Sequence, residues 1–325
     1  HYNGFGNAHN LVINENSAYA YAVGTSTFNG GPHFIDISNP LNPIPAGGYG
    51  DDSYSHDAQV VTYSGPDTEH LGKEILIGSN ANEIVIVDIT NKNNPIGLST
   101  ISYSNVAYTH QGWFTEDQRY FIVGDEVDEL NIGFNTRTII LDFEDLDNPQ
   151  FHFEYEGSTQ AIDHNGYVKG DKYYLSSYRA GMRVLDISDI ENGTMTELGF
   201  FDTYPESNSA NFNGVWNVYP YFASNNIVIS DIERGFFLVR DPSLIQEETT
   251  LNDFEIAPNP AKKNITITAT GEPIESIEVF NILGQRILNL TFDATSSKNL
   301  TITSLKSGMY LVRINSQTTK RLIVK

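Results

Sequence analysis

Histidine recurs at nearly regular intervals through the first two thirds of the sequence, each time close to an apolar stretch. Imidazole suits Zn, Cu, Fe or Ni as a ligand and can also act as a general acid or base. Successive copies are 47, 54 and 54 positions apart, and a tryptophan stands in the equivalent place 52 positions later. The residues are His9, His56, His110, His164 and Trp216. A fold that brought these copies together would form a ring of candidate ligands.

Carboxylates accompany two of these histidines. Asp57 follows His56, and Asp163 precedes His164. With His110, these residues form the set that the sequence predicts for a divalent metal ion. A structural role would leave the same repetition, because a histidine that hydrogen-bonds between neighbouring units is copied with each unit. The structural interpretation is favoured, and the metal-binding one stays open.

A second group of candidate ligands lies in the segment "GDEVDE". Asp125, Glu126 and Asp128, followed by Glu129, are oxygen donors of the kind that Ca²⁺ takes. Their spacing matches no calcium-loop pattern. A solvated acidic loop is therefore the favoured interpretation, with calcium binding as the alternative.

The histidines belong to five copies of a longer pattern that reads as four short strands. The third strand has forms such as "VIVDIT" and "VLDIS", and "SNPLNP", "NKNNP" and "DLDNP" supply Asn-Pro turns. Units of four strands over roughly 45–55 residues are typical of propeller blades, with a solenoid of stacked sheets as the alternative. We predict an all-β fold, with a β-propeller over residues 1–243. Five repeats are visible, and the abrupt start predicts that further N-terminal blades are missing.

The first strand of a propeller blade lines the central channel. Residues at the same point of successive first strands should therefore meet near one mouth of it, and this places the four histidines and Trp216 there. Arg179 and Arg234 fall at matching places between the second and third strands of their copies. An inter-blade salt bridge is the favoured role for both arginines. Contact with an anionic ligand at the channel mouth is the alternative.

The repeat strands also resemble a known family. "VIVDIT" and "VLDIS", with "HDAQVV", "THQGWFTEDQRYF" and "STQAIDHN", closely resemble the LVIVD-repeat propellers and, within these, the choice-of-anchor B proteins of bacterial surfaces. The resemblance covers residues 1 to about 243. It implies a propeller with further blades before "GFGNAHN". It implies no particular activity, because none is generally established for the family.

Composition narrows the classes of function. The chain has no cysteine, which excludes a thiolate nucleophile and a cysteine-bound zinc. Nine of the 19 basic and five of the 41 acidic residues lie from Phe254 onward, which leaves 10 basic and 36 acidic residues before it. So acidic a region repels nucleic acid and attracts cations. No serine nucleophile elbow, phosphate-binding glycine loop or dinucleotide fingerprint is present.

The end of the sequence differs from the repeats. Residues 244–253 read as a linker, and residues 254–325 read as the strands of a small β-sandwich. "FEIAPNPAKKNITI", "VFNILGQRIL", "SLKSGMYLVRI" and "KRLIVK" closely resemble the type A C-terminal sorting domain of the type IX secretion system of Bacteroidetes. The motif residues are Pro258, Asn259, Pro260, Gly284, Gly308, Tyr310 and Lys325.

The resemblance of this last domain implies a route and partners. It implies export through the periplasm to the outer-membrane surface or beyond, with the type IX translocon and its shuttle and attachment machinery as partners. For the propeller three functions stay open. A binding or adhesion module for a surface glycan or protein is favoured, because no complete catalytic constellation is visible. The alternatives are a metal-dependent surface enzyme that uses the histidine ring, and a scaffold whose histidines are structural.

Overall fold

The structure is a computed structural model, and the chain forms two compact units, His1–Asp241 and Pro242–Lys325. The predicted linker 244–253 and the motif residue Gly284 lie outside the described residues. The described residues are 1–240, 254–269, 273–281, 285–315 and 318–325.

The first unit contains five antiparallel sheets, in which each strand pairs with the next one along the chain. The first sheet is β1 (Asn10–Asn14), β2 (Tyr19–Val23), β3 (His33–Asp36) and β4 (Ile44–Gly48). The second is β5 (Asp57–Thr62), β6 (Glu74–Ser79), β7 (Ile84–Asp88) and β8 (Ile96–Ile101). The third is β9 (Thr109–Phe114), β10 (Tyr120–Asp125), β11 (Arg137–Asp142) and β12 (Gln150–Glu156), with the short helix α1 (Asp128–Asn131) between β10 and β11.

The last two sheets of this unit complete the series. The fourth is β13 (Gly166–Lys169), β14 (Lys172–Ser177), β15 (Gly181–Asp186) and β16 (Thr196–Phe201). The fifth has three strands within the described residues, β17 (Val215–Tyr219), β18 (Asn226–Asp231) and β19 (Gly235–Arg240). Two single turns of 3₁₀ helix, Phe28–Gly30 and Ile190–Asn192, lie in connecting segments.

The sheets are arranged as propeller blades. The first strands of successive sheets are neighbours, in the order β1, β5, β9, β13 and β17. Each sheet then packs face to face against the next: Tyr21 and Phe34 of blade 1 join Leu76 and Val85 of blade 2 in one apolar cluster. Strand β7 is buried along its whole length because both of its faces meet a neighbouring blade. The predicted propeller of four-stranded blades is confirmed.

In each of the first four blades, an aspartate is the last residue of the third strand and begins the turn that follows. In each case one carboxylate oxygen accepts the backbone N–H two residues later, the Asx turn expected at such a position. The donor and acceptor pairs are Ser38 and Asp36, Thr90 and Asp88, Glu144 and Asp142, and Ser188 and Asp186. The Asp of the "VIVDIT" pattern is thus a turn-forming residue that ends the strand.

The second unit is a β-sandwich of two antiparallel sheets, as predicted. Ile265, Ile277, Val279 and Val312 are fully or almost fully buried between them, so the unit has its own apolar core. One sheet contains β20 (Phe254–Ala257), β21 (Asn264–Ala269) and β24 (Ser297–Thr301). The other contains β22 (Ile274–Asn281), β23 (Arg286–Thr295), β25 (Gly308–Ile314) and β26 (Thr318–Val324).

Candidate functional site

The structure brings the four repeated histidines and Trp216 into one continuous row, which we call the histidine row. His9, His56 and His164 lie just before the first strands of their blades, and His110 and Trp216 lie within theirs. Neighbouring blades therefore carry neighbouring rings. The ring centroids are 3.7 Å apart for His9 and His56, 4.5 Å for His56 and His110, 4.3 Å for His110 and His164, and 4.6 Å for His164 and Trp216.

Two of these histidines also join adjacent blades. His9 Nδ1 donates to the backbone carbonyl of His56 at 2.9 Å, and His164 Nδ1 donates to the carbonyl of Trp216. A carbonyl oxygen only accepts, so each imidazole carries its proton on Nδ1. In the neutral ring the lone pair then lies on Nε2. The same hydrogen bonds therefore link blades and leave Nε2 free as a metal-ligand atom.

His56, the second residue of the histidine row, lies next to two tyrosines. Its Nδ1 is 3.0 Å from the hydroxyl of Tyr54 and 2.8 Å from that of Tyr108. Its Nε2 is buried and has no hydrogen-bond partner among the described residues, and the same is true of His110 Nδ1. Buried polar atoms are normally paired, so these two nitrogens mark a place where a ligand is expected.

Glu126 completes the site from the turn after β10. Its Oε2 lies 3.7 Å from His110 Nε2, and its Oε1 lies 3.7 Å from His164 Nε2. Tyr178 donates to Oε1 at 2.8 Å and so orients the carboxylate. Ligand atoms of His56, His110 and Glu126 all lie within 4.8 Å of one another. One glutamate therefore faces imidazoles from three blades.

Burial sets the protonation of the site. It lowers the pKa of His56 to about 3, with His9 and His164 adding to the effect. It also lowers the pKa of His164 to about 4 and that of His110 well below its ordinary value. Burial raises the pKa of Glu126. The imidazoles are thus neutral at physiological pH, which is the form that binds a metal.

The sequence predicts Glu126 as part of the acidic segment and not as a neighbour of the histidines. Glu126, Arg179 and Arg234 come one, two and three positions after the second strands of their blades, so the repeat predicts that Glu126 lies at the same end of its blade. In an antiparallel pair, the end of the second strand lies beside the start of the first strand. The same comparison that singled out the two arginines would have placed Glu126 at the channel mouth.

Neither aspartate that accompanies a histidine in the sequence joins the donor atoms of the histidine row. Asp57 is buried and accepts the amide of Asn10 at 2.8 Å and the backbone N–H of Ala58 at 2.6 Å. It therefore ties blade 2 to blade 1. Asp163 is completely buried, and its backbone N–H donates to Glu129 at 3.3 Å.

The acidic segment is not the solvated loop expected from its composition. Asp125 is fully buried and accepts the backbone N–H groups of Ala107 and Tyr108 and the hydroxyl of Tyr103. The expectation failed because charge density along a sequence does not show whether the backbone turns inward. Asp125, Glu126 and Asp128 also do not act as one calcium-ligand set: Asp125 holds a loop, Glu126 faces the histidines, and Asp128 begins α1.

The two arginines act on the segment that connects β16 to β17. Arg179 donates to Asn213 at 3.0 Å, and Arg234 pairs with Glu206 at 2.6 Å. Both guanidinium groups lie 5.2 Å from the ring centroid of Tyr204. Arg234 forms an ion pair with the connecting segment rather than with another blade, and Arg179 is held by neutral polar groups. Among the described residues, neither arginine donates a hydrogen bond to the histidine row.

Most of the sorting-motif residues join the two ends of the second unit. Asn259 donates to the carbonyl of Arg321 at 2.7 Å and accepts the N–H of Ile323 at 2.9 Å. Lys325 N–H donates to the carbonyl of Ala261 at 2.8 Å. The turn that contains Pro258 and Pro260 is thus fastened to the last strand. Tyr310 donates to the carbonyl of Lys306, and Gly308 begins β25.

Comparison with known proteins identifies the second unit by family. Residues 255–325 match the family described as the secretion system C-terminal sorting domain. This domain marks the protein for export by type IX secretion to the cell surface and implies interaction with that secretion machinery. No curated protein matches the chain. No helix in the described part of the chain is both long and apolar enough to cross a membrane.

Solved structures resemble the chain in fold alone. PorZ, a bacterial surface component of the type-IX secretion system of Porphyromonas gingivalis, aligns with a TM-score of 0.50 and 10% identity over 100% of this chain and 47% of its own. The chain thus spans about half the length of that relative. The periplasmic gluconolactonase PpgL of Pseudomonas aeruginosa aligns with a TM-score of 0.52 and 11% identity, covering 90% of this chain and 87% of its own. A Lactobacillus plantarum protein gives 0.52 and 14%, with coverages of 91% and 89%.

Proposed function

We propose that the propeller is a binding module delivered to the cell surface, and that its ligand site is the histidine row together with Glu126. The observation that carries this proposal is the convergence of His56, His110 and Glu126, whose ligand atoms lie within 4.8 Å of one another. His56 Nε2 is buried there without a partner among the described residues. A buried histidine with a purely structural role normally has both ring nitrogens hydrogen-bonded.

The ligand that fits this donor set is a transition-metal ion such as Zn²⁺. His164 Nε2 carries a lone pair because Nδ1 donates to Trp216, and it faces Glu126 Oε1 across 3.7 Å. Two acceptors face each other there, and a cation between them would satisfy both. Imidazole nitrogen with one carboxylate oxygen is a donor set that suits Zn²⁺.

A metal held in this way would give the module a point of attachment. Tyr54, which lies beside the histidine row, and Trp216, its last member, are both exposed. An exposed aromatic ring beside a metal ion suits a surface glycan or a carboxylate-bearing protein, because the ring packs on an apolar face while the metal takes an oxygen. Turnover of such a ligand would instead favour the metal-dependent surface enzyme.

In this proposal the two units have separate functions, ligand binding and export. We propose that residues 254–325 act as the outer-membrane export signal, joined through the linker 244–253 to the propeller of residues 1–243. We also propose that the propeller belongs to the LVIVD-repeat, choice-of-anchor B proteins that its strands resemble. The export proposal is supported by the family match over residues 255–325.

Elemental analysis tests the metal site. Purified protein would be loaded with Zn²⁺, dialysed, and measured beside His110→Ala, His164→Ala and Glu126→Gln. His152→Ala is the matched control, because His152 donates to the carbonyl of Ile190 away from the histidine row. We expect about one zinc per chain in the wild type and the control, and a loss in the other three variants.

Two results would contradict the proposed metal site. Wild-type protein without retained zinc, together with lower melting temperatures in the His110 and His164 variants, would make the histidines structural. Equal zinc in all variants would place the metal elsewhere. Either outcome overturns the proposed site.

A further inference from the structure

The exposed large apolar side chains among the described residues of the second unit all lie on one face. They are Ile287 on β23 and Met309 and Leu311 on β25, which are 44%, 47% and 39% exposed. Side chains alternate along a strand, and the neighbouring Leu288 and Val312 pack into the core of the sandwich. The three exposed side chains therefore point to the outer side of the four-stranded sheet.

The strand register joins these side chains into one surface. Leu311 pairs with Phe280 of β22 on one side and with Arg321 of β26 on the other, and Met309 pairs with Ile323 of β26. Directly opposed residues of antiparallel strands have their side chains on the same face, with Cβ atoms about 5 Å apart. A bulge in β23 places the remaining exposed residue beside β22 at the same end of the sheet. We call this surface the apolar patch, and its members are Phe280, Ile287, Met309, Leu311 and Ile323.

Arginines border the apolar patch. Arg286 pairs with Glu278 at 2.9 Å, and Arg313 pairs with the same carboxylate at 2.6 Å. The guanidinium group of Arg313 also lies 4.9 Å from the centroid of the Phe280 ring, so it is held against the patch. Arg321 is exposed on the neighbouring strand. Three arginines and one glutamate give this border a net positive charge.

The outer face of the other sheet of the sandwich is polar, although it also meets solvent. There Thr266 donates to Asn299 at 2.7 Å, and the hydroxyls of Thr268 and Ser297 lie 3.3 Å apart. Exposure to solvent therefore does not explain the apolar patch. An apolar centre that contains methionine and an aromatic ring and is bordered by arginine is typical of a protein–protein interface. The composition of this face thus indicates a docking surface for another protein.

We propose that the sorting domain docks on the type IX secretion machinery through the apolar patch. This inference rests on the proposed role of residues 254–325 as the export signal, and it adds which face makes the contact and the chemistry of the partner. The partner presents an apolar groove that receives Met309 and Leu311, and carboxylates at the edge of that groove face Arg321. Opposite charges at the rim favour this partner over others and speed the encounter.

Export of the full chain from a bacterium with a type IX secretion system tests the proposal. Leu311→Lys places a charge in the apolar patch, and Arg321→Glu reverses the charge at its border. Each should lower the fraction of the chain at the cell surface by about fivefold or more, with folded protein retained in the periplasm. Cell fractionation and protease treatment of intact cells measure this fraction. Thr268→Lys, on the polar outer face, is the matched control and should be exported like the wild type, as should the conservative Leu311→Met.

Melting temperatures of the purified chains separate docking from folding. Because Leu311 and Arg321 are exposed, their variants should melt within about 3 °C of the wild type. Met309→Lys repeats the test at a more exposed position if Leu311→Lys melts lower.

Two results would overturn the proposal. One is export of Leu311→Lys, Met309→Lys and Arg321→Glu at the wild-type level. This result would leave the export role of residues 254–325 intact, because that role fails only if the chain without them reaches the surface. The other is a dimer of the wild-type protein in sedimentation that Leu311→Lys dissociates, which would assign the apolar patch to a second copy of the chain.

Discussion

The hydroxyl of Tyr21 in the first blade donates a 2.6 Å hydrogen bond to the carboxylate of Glu74 in the second. The same carboxylate receives Ser17 at 2.6 Å, Asn14 at 2.8 Å and the ammonium group of Lys92 at 2.6 Å. Burial raises the pKa of Glu74, but the hydrogen bonds from Lys92, Ser17 and Tyr21 outweigh burial, so the net pKa is lowered. The contact between these blades therefore depends on an ionised Glu74.

Replacing Glu74 by glutamine should lower the free energy of unfolding at pH 7 by about 2–3 kcal/mol, the scale of charged hydrogen bonds. A carboxyl whose pKa is lower in the folded state stabilises the fold above the unfolded pKa, and this stabilisation is lost as pH falls through the folded pKa. Urea unfolding followed by the fluorescence of Trp113 and Trp216 measures the difference. The difference in stability should shrink as the pH falls below the ordinary pKa of a glutamate and through the lowered pKa of Glu74. A difference that does not change with pH would contradict an ionised Glu74.

A buried glycine on the first strand of blade 4 should not tolerate a side chain. A Cβ at Gly166 would lie 1.8 Å from the hydroxyl of Tyr173 and 2.1 Å from its Cζ. Because Tyr173 is itself fully buried, it has nowhere to move. We expect Gly166→Ala to lower the free energy of unfolding by about 1–3 kcal/mol.

Gly199→Ala is the control for this change. A Cβ there meets nothing within 4 Å, so its effect should stay within about 0.5 kcal/mol. Urea unfolding of the two variants side by side makes the comparison. Equal stability of Gly166→Ala and the wild type would show that the packing around Tyr173 is looser than described.

Tyr204 should order the segment that connects blades 4 and 5. Its ring lies 5.2 Å from the guanidinium groups of both Arg179 and Arg234, and each exposed cation–π contact contributes about 0.5–1 kcal/mol. Tyr204→Leu should therefore speed proteolysis within residues 205–213, measured on the native protein. Tyr219→Leu, on the exposed side of β17, is the control and should leave cleavage unchanged. Slow cleavage in both would mean that the Asn213 and Glu206 contacts suffice.

The export signal should be separable from the propeller. Removal of residues 254–325 should leave a folded propeller in the periplasm, because the unit that the secretion machinery engages is gone. Cell fractionation and protease treatment of intact cells would locate the protein, with the full-length chain as control. Efficient surface delivery of the shortened chain would contradict the role of this unit.

The sequence by itself determined the architecture, because the signals for it are local. Residues alternate within "IVIVD", an aspartate ends the third strand in each of the first four blades, and Asn-Pro turns follow it in the first three. Repetition also located His56, His110 and His164 at one end of the first strands, since equivalent positions of stacked blades are neighbours in space. The motifs of residues 254–325 marked the sorting domain in the same direct way.

Tertiary structure alone decided what the polar residues do. Asp125, Glu126 and Asp128 are close in sequence, yet one holds a loop, one faces His110 and His164, and one forms an ion pair with Arg137. The burial and hydrogen-bond partners of each side chain depend on residues from other blades, up to about fifty positions away. The periodicity of a sequence predicts which face of a strand each side chain occupies. It does not predict which residues of a neighbouring blade that side chain contacts. The chemistry of this site therefore follows from how neighbouring blades pack.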